Sequence, residues 1–158
     1  MLRFSFQPKI NEKLINELAN LNFIAEAKNL LFIGAPGVGQ THLSISLGVK
    51  TAQARKRVLF FSAEALTSLL ASSELAGDFN KTLATLQAID LLIIDELGYL
   101  TFSKQTAKLF FQLVSKRYGK GYIIITSNKP FEQWGEIFQD DIAAGAILDR
   151  LLHRCGIF

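Results

Sequence analysis

The chain has 158 residues, 49% hydrophobic and 20% charged, which is about one globular domain with enough apolar residues to bury a core. A formal charge of only +3 permits contact with nucleic acid without demanding it. Cys155 is the one cysteine, which excludes an internal disulfide; no Cys/His cluster suggests zinc, and no signal peptide or membrane-length apolar run is evident, so a reducing cytoplasmic setting is expected.

From Ile10 to Lys28, Leu14, Ile15, Leu18, Leu21 and Ile24 recur at helical spacing, and Asn29 breaks the pattern. Residues 1–29 thus read as a helical lead-in to a core over 30–158, the whole forming one domain. Leu30 to Ile33 is a short continuous apolar run, read as a buried strand. It leads into Gly34-Ala35-Pro36-Gly37-Val38-Gly39-Gln40-Thr41, which has the spacing of the phosphate-binding loop G-x-x-x-x-G-K-[ST]. Glycines let successive N–H groups turn inward toward phosphate oxygens, and the following helix adds its positive end. Thr41 stands where a hydroxyl holds Mg²⁺. Gln40 stands where lysine supplies a charge to the β- and γ-phosphates; glutamine can donate hydrogen bonds but carries no charge. The expectation is an ATP site, Gly34 through His42, with weakened binding and severely reduced hydrolysis. The His42 imidazole itself reads as packed or exposed rather than as a ligand.

Beyond the loop, Thr41 to Arg55 reads as a helix, Val58 to Phe61 as a second strand, and Ser62-Ala63-Glu64 as the start of a helix toward Ser73. A turn at Gly77-Asp78 precedes a helical piece from Phe79 to Gln87. Leu91-Leu92-Ile93-Ile94 is a third buried strand that ends in Asp95-Glu96. Downstream of a phosphate loop, this is a Walker B element: Asp95 would hold the Mg²⁺ shell through water, and Glu96 would activate the attacking water. Ser103 to Tyr118 is an amphipathic helix, with Lys116, Arg117 and Lys120 near its C-terminus, where the helix dipole favours cations.

Tyr122 to Ile125 is a fourth strand, followed by Thr126-Ser127-Asn128. Spacing alone leaves two readings of that end: Asn128, with Thr126 behind it, lies between the γ-phosphate and the water, or Ser127-Asn128 merely forms a turn ahead of Lys129-Pro130. Phe131 to Phe138 and Asp141 to Arg154 read as helices, with Trp134 and Phe131 anchoring the first. On residues alone, Arg150 and Arg154 read as a solvated basic face, and so does the cluster of Lys50, Arg55, Lys56 and Arg57. Strands apolar on both faces, alternating with helices, predict an α/β fold: a parallel sheet flanked by helices on both faces, with ligands beyond the carboxyl ends of the strands.

Several of these segments resemble one family. Leu31-Phe32-Ile33-Gly34 through Thr41-His42-Leu43, Asp95-Glu96-Leu97-Gly98-Tyr99-Leu100, Leu109 to Leu113 with Arg117-Tyr118, Thr126-Ser127-Asn128 with Trp134-Gly135, and Ile147 to His153 are similar to the IstB family of ATP-binding transposition helpers. These are P-loop NTPases of the AAA+ type, kin to the DnaC-like helicase loaders. The resemblance implies ATP and Mg²⁺ as cofactors, assembly of several copies on double-stranded DNA, and a transposase as partner. It matches Asn128 to the sensor residue and Arg150 to the region that supplies an arginine to a neighbouring subunit's nucleotide. Three departures stand out: Gln40 replaces lysine, the last strand is expected to be missing, with at most its beginning in Cys155 to Phe158, and a further N-terminal segment is expected to be missing as well. Together they suggest a decayed or interrupted copy. Two alternatives remain open at this point: a helicase loader acting with a replicative helicase, and an inactive remnant or interaction module.

Overall fold

The computed structural model describes residues 28–35, 39–153 and 155–157. The expected lead-in helix, Pro36, Gly37 and Val38 of the loop, and Arg154 lie outside the described residues. Five strands alternate with helices: β1 (Asn29–Ile33), α1 (Gln40–Gln53), β2 (Val58–Ser62), α2 (Ala63–Leu75), α3 (Phe79–Gln87), β3 (Leu91–Leu97), α4 (Lys104–Arg117), β4 (Tyr122–Ser127), a 3₁₀ turn (Phe131–Gln133), α5 (Trp134–Phe138), α6 (Asp141–Leu152) and β5 (Cys155–Ile157). The sheet runs β2-β3-β4-β1-β5, and every pairing is parallel.

The strands sort their side chains with a period of two. Leu31, Leu92, Ile94, Ile123 and Ile125 join one core with α2 to α6; Leu30, Phe32, Leu91, Ile93 and Ile124 join a second with Leu43 and Leu47 of α1. Both faces are therefore covered, which is why the strands read as unbroken apolar runs. Phe102, Phe110, Phe138 and Trp134 fill the larger core edge to face, and Trp134 donates its indole N–H to the Lys129 carbonyl at 3.0 Å. Among the described residues no helix is long and apolar enough to cross a membrane.

Several expectations change in detail. The last strand forms: Cys155, Gly156 and Ile157 pair with Asn29, Leu30 and Leu31, so β1 has a neighbour on each side and the sheet's edge passes to β5. Asn29 opens β1 instead of ending a helix, and its amide ties the sheet to α6 by donating to the Leu151 carbonyl at 3.1 Å and accepting from Ile123 N–H at 2.9 Å. Arg117 ends α4, as its place near the helix C-terminus leads one to expect, but it faces inward. It is 2% exposed, and its guanidinium donates to the carbonyls of Leu86, Ile89 and Tyr122 at 2.6, 2.7 and 2.9 Å. Burial lowers its pKa to about 10, against an opposing pull from Asp90.

Candidate functional site

Of the described residues singled out in the sequence, those that follow β1, β3 and β4 lie at the carboxyl edge of the sheet. β1 delivers Gly34, whose N–H donates to the Ser127 carbonyl at 3.0 Å, fastening the start of the loop to the end of β4. Gly39 closes the loop with φ +84, a left-handed conformation that glycine adopts without the Cβ penalty. α1 then begins at Gln40. Ser62, Ser103 and Asp140 cap α2, α4 and α6 with side-chain oxygens, but α1 has no side-chain cap and no acid in its first turn. Its N-terminal N–H groups are left without such a partner, the condition under which a helix start receives an anion.

Thr41 points from that first turn toward the end of β3, where its hydroxyl donates to both carboxylate oxygens of Asp95 at 2.9 and 3.0 Å. Asp95 is 5% exposed and also accepts a very short hydrogen bond from the Thr126 hydroxyl. Glu96, by contrast, is exposed, so its carboxylate is open to water. Its backbone has φ +62, and its N–H donates to Thr126 Oγ1 at 2.9 Å. The chain then turns at Gly98, where φ is +105 and a Cβ would lie 2.7 Å from Asn128 Oδ1. That oxygen is buried without a hydrogen-bond partner, an acceptor lacking a donor such as water. Tyr99 and Leu100 stand exposed beyond it. Lost hydration, then the charges of Glu96 and Asp95, raise the Tyr99 pKa above its ordinary value.

Gly34, Ala35, Gly39, Gln40, Thr41 and His42 thus lie on one side of the site, with Asp95, Glu96 and Asn128 across from them. Arg150 is not among them. It lies near the C-terminal end of α6, beside Leu151, whose carbonyl is bonded to Asn29 at the amino end of β1. Five residues of strand, roughly 16 Å, separate that edge from the loop. Its guanidinium rests 4.6 Å from the centre of the Phe111 ring and helps line a cavity of about 340 Å³ with Asn29, Arg117, Tyr118 and His153. Arg150 therefore lies away from its own chain's site.

The donor set suits a metal–nucleotide pair. Among the described residues no cluster of three or more His, Cys, Asp or Glu could hold an ion unaided. Thr41 and Asp95 offer two oxygens, leaving the rest of an octahedral shell to phosphate and water. The uncapped helix start fits the same ligand. Gln40 is the misfit, since it brings no positive charge. Sequence reading undervalued Thr126 and Gly98; their only sequence signal was position, directly across from the two acids or just after them.

A profile of the family described as IstB-like ATP binding protein matches residues 1–158. A Pseudomonas aeruginosa protein named as an ATP-binding protein of insertion sequence IS21 is 47% identical over 151 residues, covering 96% of this chain. The chain spans 57% of that relative's length. Among solved structures, DnaI is similar with a TM-score of 0.78 at 19% identity, over 96% of this chain and 88% of that one. The DnaC helicase loader is similar with a TM-score of 0.67 at 24% identity, over 94% and 90%. These two likenesses establish the fold, a parallel α/β sheet flanked by helices as in those two proteins.

Proposed function

As the chain belongs to the family of IstB-like ATP binding proteins, we propose that it is an ATP-binding AAA+ helper of DNA transposition, acting beside a transposase on double-stranded DNA. The observation that carries the nucleotide part is the Thr41–Asp95 contact, which joins the start of the phosphate-loop helix to the acidic end of β3. In this reading the N–H groups of the loop and of the α1 start bind the phosphates, and Thr41 and Asp95 hold Mg²⁺. A bound Mg²⁺ supplies charge neutralisation at the phosphoryl oxygens. Glu96 takes the proton of the attacking water on its exposed carboxylate, and Asn128 orients that water. With Gln40 in place of lysine, the phosphates lose one charge-assisted hydrogen bond, a cost of about 1.5–3 kcal/mol. Turnover is accordingly slow.

Arg150, remote from its own site, acts on the nucleotide of a neighbouring copy, so hydrolysis requires assembly on DNA. Lys50, Arg55, Lys56 and Arg57, all exposed around the end of α1, contact DNA phosphates.

The deciding experiment is a Mg²⁺–ATP titration of the chain beside its Gln40→Lys variant. Binding by the variant, tighter by about tenfold or more, supports the reading. Absence of binding by both, with cooperative melting intact, would overturn it. Gln40 also favours a second reading, a folded interaction module without catalysis. Turnover by the DNA-assembled chain would exclude that module.

A further inference from the structure

β3 and β4 run in register from Leu91–Tyr122 to Ile94–Ile125, but the next aligned pair is Leu97–Ser127. β4 advances two residues there while β3 advances three. The extra residue falls in the Asp95-Glu96 stretch opposite Thr126, and Glu96 carries the left-handed φ of +62. This is a β-bulge, the device by which a strand re-aims a side chain. It turns Glu96 outward to solvent, while Asp95 on one side and Leu97 on the other stay buried. A bulge also removes a backbone N–H from the ladder, and a buried N–H needs another acceptor.

We propose that Thr126 is the positioning residue that fastens this bulge and so sets the geometry of both acids. One hydroxyl does two things: it accepts the Glu96 N–H at 2.9 Å and donates its own proton to Asp95 Oδ1. A hydroxyl has one proton to give and lone pairs to receive, so both bonds are satisfied at once. Thr126 is 2% exposed, which leaves little room for water to replace it. Released from Thr126, a non-glycine residue at φ +62 relaxes toward ordinary strand geometry, which swings the Glu96 side chain away from the site. Asp95 would keep only Thr41, and its carboxylate could rotate. Thr126 acts through these two residues and touches no reacting atom. Its effect on catalysis rests on the ATPase reading above; its effect on the bulge does not.

The test compares Thr126→Val, which keeps the shape and loses the hydroxyl, with Thr126→Ser, which keeps the hydroxyl. Each is made in the chain as it stands and with Gln40→Lys. Hydrogen exchange at the Glu96 amide, followed by NMR of ¹⁵N-labelled protein, reads the fastening directly. Thr126→Val should speed that exchange by about tenfold or more, and Thr126→Ser should restore it to within about threefold. In the Gln40→Lys background, with double-stranded DNA present, Thr126→Val should lower kcat by about tenfold or more while KM for Mg²⁺–ATP stays within about threefold, and Thr126→Ser should recover kcat. Unchanged Glu96 exchange in Thr126→Val would overturn the proposal. So would a Thr126→Ser variant as impaired as Thr126→Val, since the methyl group would then be what matters. If the Gln40→Lys parent shows no turnover on double-stranded DNA, the ATPase reading fails and amide exchange alone decides the role of Thr126. Should Thr126→Val not melt cooperatively, Thr126→Cys carries the same comparison.

Discussion

The Thr41 hydroxyl is shared between both carboxylate oxygens of Asp95, at 2.9 and 3.0 Å, across 54 residues of sequence. This contact links the two motifs through a single proton and places two hard oxygen donors side by side. Asp95→Asn would remove the negative charge and turn an amide toward donors that expect an acceptor. The expected result is loss of the Mg²⁺-dependent part of nucleotide affinity, by about tenfold or more, with metal-free binding little changed. Titrations with Mg²⁺ and with a chelator check this, and an undiminished Mg²⁺ effect would remove Asp95 from the metal site.

Gly98 is the tightest backbone position near the site. Alanine there meets both a φ of +105 and Asn128 Oδ1 at 2.7 Å. Gly98→Ala should cost about 2 kcal/mol of stability and displace Asn128. Gly77→Ala, also at positive φ but with open space around it, separates strain from the steric contact. Chemical denaturation of both variants measures the difference, and equal losses would show that Asn128 plays no part in it.

Arg117 holds four carbonyls: Leu86 of α3, Ile89 and Asp90 in the link to β3, and Tyr122 at the start of β4. Arg117→Ala leaves those oxygens buried without donors and should destabilise the fold by about 3 kcal/mol or more. For a domain of this size that lowers Tm by about 6–12 °C. Arg117→Lys should recover only part, because one ammonium cannot span the positions of a planar fork. Gly121 enforces the arrangement: a Cβ there would lie 2.6 Å from Arg117 Nη2. A thermal melt of Arg117→Ala matching the parent would refute this role.

Tyr99 supplies a pH prediction. Its phenol is held above the ordinary value of 10.0 by desolvation first and by Glu96 and Asp95 after it. The folded chain therefore keeps the proton that the unfolded chain releases, and this group's contribution to stability falls as pH rises above about 10. Glu96→Gln should move the midpoint downward without abolishing the shift. Ultraviolet absorbance titration in a background of Tyr118→Phe and Tyr122→Phe isolates the signal; a midpoint indifferent to Glu96→Gln would mean that the two side chains do not sense each other.

The helices and strands were mostly readable because their patterns are local. Phe79 to Gln87 was placed with the bounds that α3 has, and Ser62, Ser103 and Asp140 cap helices where serine and aspartate should. The strand ends were less readable. β3 and β4 each run past the apolar residues that announce them, to Leu97 and Ser127, because pairing with a neighbour extends a strand beyond what side-chain hydropathy marks. β5 was underestimated for the same reason, since three residues become a strand only when Asn29 to Leu31 lie alongside. The place of Arg117 at the end of α4 was readable, but its burial was not, because nothing local reveals four waiting carbonyls.

The sequence by itself determined the alternation of strand and helix, the parallel sheet, the phosphate loop with its missing lysine charge, and the acidic pair that follows an apolar strand. Each is written in residues at short separation, where hydrophobic period and glycine spacing act directly. Tertiary structure alone decided that the hydroxyls of Thr41 and Thr126 meet on Asp95, that a bulge turns Glu96 toward water, and that Arg150 stands at the opposite edge of the sheet from its own chain's site. Those facts depend on strand register and on which edge a helix ends at. They join residues 30 or more positions apart, and no local pattern encodes the distance between them.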